Sequence, residues 1–158
     1  MFFYALGIVL IILDQVSKLL IINKLNLGQS IQIIDGILHF TYVRNSGIAF
    51  GLFPKMNIVI TILSIITIFL LFFIYRETNS DNIRTKTALI FILSGAIGNL
   101  IDRIQYNVVI DFIDFRIWPV FNLADTFIVI GVAMIFIVLF LTKEKAENAS
   151  DTFSIRAD

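Results

Sequence analysis

The chain has 158 residues, of which 58% are hydrophobic and only 15% charged, with a mean hydropathy of +0.93. A soluble domain carries about 45–50% apolar and about 25% charged residues, so the composition excludes an ordinary water-exposed fold and places the chain in a membrane. Twelve basic residues balance twelve acidic ones and there is no cysteine. That removes the electrostatic case for nucleic acid or a strongly anionic surface as the main partner and excludes disulfides, cysteine nucleophiles and thiolate metal sites. His39 is the single histidine, too little for a histidine zinc site or a Ser-His triad.

A helix needs about 20 apolar residues to cross the hydrocarbon core. Residues 2–22 form the first such stretch, apolar except for Asp14, Gln15, Ser17 and Lys18. A secretory signal peptide wants a basic region and a small-residue cleavage site; this stretch opens with Met1-Phe2-Phe3-Tyr4 and has no Lys or Arg before Lys18, so it is expected to be a retained first helix. Residues 23–56 are mixed; β-branched and aromatic residues around Asp35-Gly36 predict a small hairpin or sheet at the interface. Residues 57–75, 87–103 and 125–142 give three further spans. A short charged connection (Arg76, Glu77, Asp81, Arg84, Lys86) separates the second from the third. Between the third and fourth, the indole of Trp118 suits the headgroup level. Four spans put both termini on one side. Charge bias does not orient them: Arg76, Arg84, Lys86, Lys143 and Lys145 on the terminal side balance Lys24, Arg44, Lys55, Arg103 and Arg116 on the other.

Charged residues near a bilayer centre cost about 2.5–3.5 kcal/mol each on insertion scales, so those retained face protein or water and usually work. Asp14 and Lys18 stand four apart on one helix face, acid first, which is the favoured order for a pair. They form either a structural ion pair, with Lys18 reaching toward the headgroups, or the support of a site. On the third span a strip of Gly95, Gly98, Asn99 and Asp102 runs into Arg103. The glycines permit close helix approach, while Asn99 and Asp102 are either a polar helix end or site residues. Asp111 is embedded in Val109-Ile110-Asp111-Phe112, and Asp125 opens the fourth span three residues after Asn122.

Two carboxylates at one membrane face, in a chain without a usable Ser-His or Cys-His pair, point to acid-pair chemistry. An apolar setting and a like-charged neighbour raise a carboxyl pKa, so a close pair holds one shared proton. Such a pair can activate water against an amide carbonyl and protonate the leaving amine. The alternative is that Asp125 caps its helix and Asp111 is an interfacial loop acid. Asp114, two residues before Arg116, is expected as a surface charge, and His39 as a lone interfacial side chain. The loop from Arg44 and Asn45 through Gly47, Ala49 and Phe50 to Gly51 brings small residues and two donors together, without the G-x-x-x-x-G-K-[ST] of a phosphate loop. The same acids also fit a small ion- or proton-coupled transporter, or a Mg²⁺-dependent lipid-phosphate enzyme using Asp102, Asp111 and Asp125.

In order, Asp14-Gln15-x-x-Lys18, Asn45-x-Gly47-x-Ala49-Phe50-Gly51, Gly95-x-x-Gly98-Asn99-x-x-Asp102-Arg103, Val109-Ile110-Asp111-Phe112 and Phe121-Asn122-x-Ala124-Asp125 resemble the motif set of the bacterial lipoprotein signal peptidases, signal peptidase II. The resemblance runs from about residue 14 to 131; Ser94 stands where the family often has a glycine. It implies an all-α integral membrane protein: four transmembrane helices with a small extracytoplasmic β-sheet segment and a short interfacial helix, shortened in this chain, all within one membrane domain, 1–158. It further implies an intramembrane aspartic endopeptidase that cuts prolipoproteins before a diacylglyceryl-modified cysteine, with no metal or cofactor. Asp111 and Asp125 would be its catalytic dyad. Asp14, Lys18, Asn45, Gly47, Ala49, Phe50, Gly98, Asn99, Asp102, Arg103, Asn122 and Ala124 would shape and support the site, and Arg44 would contact substrate. The implied partners are lipid-modified prolipoproteins and membrane lipids, bound by a monomer in the bacterial cytoplasmic membrane. Its termini would be cytoplasmic and its active site near the outer leaflet.

Overall fold

The computed structural model describes residues 1–47, 56–79 and 82–155. Its elements follow in the order α1 (Phe2–Lys24), β1 (Ser30–Ile34), β2 (Leu38–Asn45), α2 (Met56–Glu77), α3 (Ile83–Tyr106), β3 (Val109–Asp114) and α4 (Leu123–Ile155). Four helices are long and apolar enough to cross a membrane, and the spans expected at 2–22, 57–75, 87–103 and 125–142 all lie inside them. Large apolar side chains point outward along them, among them Ile62, Phe69 and Phe73 on α2 and Phe136 and Phe140 on α4. In water such a surface would drive association; in a bilayer it meets lipid tails.

The centre of the bundle is α3, which packs on α1, α2 and α4. Small residues make this possible, because without a hydrophobic drive between helices in lipid the contacts depend on close packing. A Cβ added at Gly95 would collide with the Ala124 carbonyl oxygen, and one at Gly131 would lie 2.6 Å from the Ala88 oxygen. At Gly98 the added atom would stand 2.5 Å from Asp14 Oδ2, so this glycine makes room for a carboxylate of α1. Asn107, in the left-handed region at φ 58, ends α3 with its N–H donated to the Arg103 carbonyl and turns the chain into β3.

The sheet has the order β1-β2-β3 with antiparallel neighbours. The hairpin β1–β2 turns at Asp35-Gly36, where Gly36 has φ +64, as the turn residues predict. β3 is the unexpected member. The short interfacial helix anticipated between the third and fourth spans is absent from residues 107–122; instead Val109, Ile110, Asp111 and Phe112 are all buried in a strand along β2. A short helix there would leave these apolar residues unburied. Arg116 at φ 66 and Pro119, which cannot donate a backbone hydrogen bond, interrupt any helical run beyond it. A bridge between Ile113 and Phe121 then returns the chain to the start of α4.

Candidate active site

Asp14 and Lys18 lie on successive turns of α1 and are both almost fully buried. The Lys18 ammonium sits 2.9 Å from Asp14 Oδ2 and 2.9 Å from Asp102 Oδ2 of α3, so one cation is clasped by two carboxyl groups. Of the two readings of this pair, snorkelling to the headgroups is overturned: the ammonium turns inward because two partners and an amide oxygen compensate its desolvation. That oxygen is Asn99 Oδ1, which accepts from Nζ at 3.1 Å. Gln15 adds a clamp, its amide donating to Asp14, to Asp102 and to the Gly98 carbonyl, each at 3.1 Å.

The two acids of this triad also satisfy backbone donors that would otherwise be orphaned. Asp14 Oδ1 accepts from the N–H of Ala124, in the first turn of α4, at 2.9 Å. Asp102 Oδ2 accepts from Ile110 N–H on β3 at 3.0 Å. A carboxylate at a helix N-terminus both fills a free donor and meets the positive end of the helix dipole. So the first and third helices fix where α4 begins and where β3 runs, and those two elements carry Asp125 and Asp111.

Asn99 and Asn122 connect the triad to these two carboxyl groups. Asn99 Nδ2 donates to Asp125 Oδ1 at 2.7 Å, while Asn99 Oδ1 accepts from Asn122 Nδ2 at 3.0 Å. The same Asn122 amide donates to Asp111 Oδ1 at 2.7 Å. Asn122 Oδ1 accepts from Asp125 N–H at 2.9 Å, so the helix cap at this end is Asn122 as well as Asp125, whose Oδ2 accepts from Asn122 N–H at 3.4 Å. Asn45, at the end of β2, donates to Asp111 Oδ2 at 2.8 Å. Asp111 is thus held through both oxygens and almost fully buried. Asp125 faces two clefts. One lies between α4 and the approach to it and is walled by Phe115, Trp118 and Phe121; the other lies between α2, α3 and α4, beside Ile60, Ser64 and Arg103.

Burial pushes the Asp111 carboxyl up to about 6, with the Asp125 charge adding to the rise and the Asn45 and Asn122 hydrogen bonds working against it. A hydrogen bond from Thr41 holds Asp114 below the usual carboxylate range. Asp114 is buried rather than the surface charge anticipated; it ties the sheet together and contacts Arg116 at 3.6 Å. His39 lies opposite it on β2.

Arg103 donates to the Asn99 carbonyl at 3.3 Å and lines the second cleft. Arg44 stands on the sheet, its guanidinium 5.8 Å from the Tyr42 ring centroid and donating to that residue's hydroxyl at 2.9 Å. Gly47, with φ +76, donates to Asn45 Oδ1 at 2.8 Å and orients that amide toward Asp111. Ala124 contributes its N–H and, with Gly95, the tight α3–α4 crossing. Ala49 and Phe50 lie outside the described residues. The sequence reading missed Gln15 as a site residue, although it stands next to Asp14, and Ile110, which acts through its backbone and so carries no side-chain signal. It also missed Trp118 and Phe121 as cleft walls. Among the described residues no group of three or more His, Cys, Asp or Glu could hold a metal ion, so the Mg²⁺ reading finds no ligand cluster in Asp102, Asp111 and Asp125.

A family profile described as signal peptidase (SPase) II matches residues 6–141. The lipoprotein signal peptidase of Halothermothrix orenii is 44% identical over 137 residues, covering 86% of this chain and 93% of the relative. That of Clostridioides difficile is 41% identical over 147 residues, covering 90% and 98%. A solved structure of a bacterial membrane enzyme superposes with a TM-score of 0.84 at 31% identity, over 90% of each chain.

Proposed function

Because the chain belongs to the signal peptidase II family, we propose that it is an intramembrane aspartic endopeptidase removing signal peptides from diacylglyceryl-modified prolipoproteins. The observation that carries the aspartic reading is the bridge at Asn122, which donates to Asp111 Oδ1 and accepts from the Asp125 backbone. One amide thereby ties the Asp111 carboxyl to the backbone that carries Asp125, whose own carboxyl accepts from Asn99. In the reaction, one carboxylate takes a proton from a water lying between the pair, and the water oxygen attacks the scissile carbonyl carbon. The other carboxyl gives its proton to the departing amine as the C–N bond breaks. The products are the signal peptide with a free carboxylate and a lipoprotein with an amino-terminal lipidated cysteine.

Asn45, Asn99 and Asn122 supply neutral donors, which hold the carboxyl groups without placing a cation that would lock both in the ionised form. The triad of Asp14, Lys18 and Asp102 acts behind them by fixing Asn99 and the two chain segments. Arg103 and Arg44 are assigned to the substrate. The termini lie in the cytoplasm and the dyad at the outer leaflet, where a lipidated cysteine presents its peptide bond, and a monomer contains the whole site.

The test is cleavage of a diacylglyceryl-modified precursor by the purified chain in lipid. Asp111→Asn and Asp125→Asn should each lower the rate by about 10²–10⁴-fold, the range of general acid–base contributions, while the variants still insert and melt cooperatively. Chelator should leave the rate unchanged. Full activity in either variant would falsify the aspartic mechanism.

A further inference from the structure

At the end of the bundle where the chain begins, α1 and α2 each pack on α3, and the Phe3 and Tyr4 rings of α1 reach Tyr75 of α2, at 6.5 and 6.1 Å between centroids. Beside that contact lies a cleft of about 430 Å³ floored by Ile90 and Leu93 of α3 and edged by Ile8 of α1 and Ile65, Phe69 and Phe72 of α2. On α3 the floor continues one turn up to Lys86, whose ammonium lies 5.1 Å from the centre of the Tyr75 ring. On α2 the edge runs Ile65, Phe69, Phe72 and then, at the same helical spacing, Arg76. Two cations therefore continue the stripes that line the cleft, one turn beyond its apolar walls, with Tyr4 and Tyr75 in the lining itself, rings of the kind that settle at the bilayer interface. The ion pairs of the described residues belong to Lys18 and Arg116; Arg76 and Lys86 have none. Glu77 follows Arg76 one position off the cleft stripe.

The depth of the cleft identifies its occupant. From Lys86 to Ile97, the deepest lining residue of α3, the helix rises about 16 Å, close to half of an about 30 Å hydrocarbon core. That is the depth of one leaflet and the reach of one acyl chain. A second helix is a poor fit, since close helix approach in lipid needs small residues and the lips here are isoleucine and phenylalanine. Gly7, the one small residue in the wall apart from Ser94, is already filled by it: their approach is marked by a Ser94 hydroxyl donating to the Gly7 carbonyl at 3.3 Å. Basic residues at the mouth of a pocket between membrane helices favour anionic headgroups.

We propose that the α1–α2 cleft is a binding site for one anionic phospholipid of the leaflet on the side of the termini, its acyl chain lying between Ile8 and Phe69 and its phosphate between Arg76 and Lys86. This site is separate from the peptidase reading and stands or falls without it. Native mass spectrometry of the full chain, given equimolar phosphatidylglycerol and phosphatidylcholine with identical chains, should show at least about a fivefold preference for the anionic lipid, as two basic contacts imply. The double variant Arg76→Gln with Lys86→Gln changes only exposed or half-buried charges and should bring that preference to within about twofold. A reporter placed in the cleft, Phe69→Trp in a Trp118→Phe background, should be quenched by phosphatidylglycerol brominated on its acyl chains more than by brominated phosphatidylcholine at equal mole fraction. Equal binding of the two lipids, an unchanged preference in the double variant, or equal quenching would each overturn the proposal. So would a dimer whose crosslinks run through Phe69 and Phe72, which would assign the cleft to a second copy of the chain.

Discussion

α2 and α3 are helices of nearly equal length, yet they make opposite use of it. The spanning part of α2 has a mean hydropathy of 2.9 and is 6% buried inside the protein; the corresponding figures for α3 are 1.5 and 50%. In water the more apolar helix would be the central one. In a bilayer the order inverts, because lipid tails satisfy apolar side chains as well as protein does, whereas Gly95, Gly98, Asn99 and Asp102 find partners only inside the bundle. The helix least suited to lipid is the one that organises the site, and the greasiest one is held at the edge.

Four measurements would break or sharpen that contrast. The largest effect is expected at the triad that α3 shares with α1. Lys18→Met leaves Asp14 and Asp102 buried without their cation and should cost about 3–5 kcal/mol, read from unfolding in detergent. A loss below about 1 kcal/mol, no more than an exposed pair, would show the triad to be dispensable.

The next concerns pH. Asp111 sits at about 6 in the folded chain against an ordinary value of 3.8, so the folded state holds this proton more tightly than the unfolded one. Stability contributed at low pH is therefore lost as pH rises from about 4 to about 6, by at most about 3 kcal/mol at 1.36 kcal/mol per unit. Asp111→Asn should remove that slope, so its melting temperature gains on the parent chain as pH rises across the window. On the proposed mechanism, kcat/KM of the parent should be bell-shaped in pH, with limbs that belong to the Asp111–Asp125 pair and not to either residue. A flat profile from about pH 4 to 9 with chemistry rate-limiting would contradict a shared proton.

Gly95→Ala tests the crossing itself. Its new methyl meets the Ala124 carbonyl, and α4 must shift, at a cost of about 1–3 kcal/mol and with a fall in cleavage rate because Asp125 moves with it. The smallest effect belongs to α2: Ile66→Leu and Phe73→Leu, both at exposed positions, should stay within about 0.5 kcal/mol of the parent.

Much of this was legible in the residues. Three spans followed from charge-free runs and the first from an apolar stretch broken only by Asp14, Gln15, Ser17 and Lys18, and Asp35-Gly36 marked the hairpin. The pairing order of Asp14 and Lys18 marked them as partners, though not their inward turn, which depends on Asp102 arriving from a helix more than eighty positions away. β3 was not legible: residues 109–114 carry an acid amid apolar residues, and only pairing with β2 turns that pattern into a buried strand. The same holds for Asp114, whose partner Thr41 comes from the hairpin, and for Gln15, whose three acceptors lie on two helices.

By itself the sequence determined that the chain is a four-span membrane protein and which acids stand out from an apolar background, because hydropathy and charge are local quantities summed along the chain. Its motifs identified the family. Tertiary structure alone decided how those acids are shared: which amide links Asp111 to Asp125, which carboxylates clasp Lys18, and which carboxyl is buried while the other faces a cleft. Hydrogen bonds and desolvation depend on distances between residues remote in the chain, and those distances exist only once α3 has drawn α1, α4 and the sheet around it.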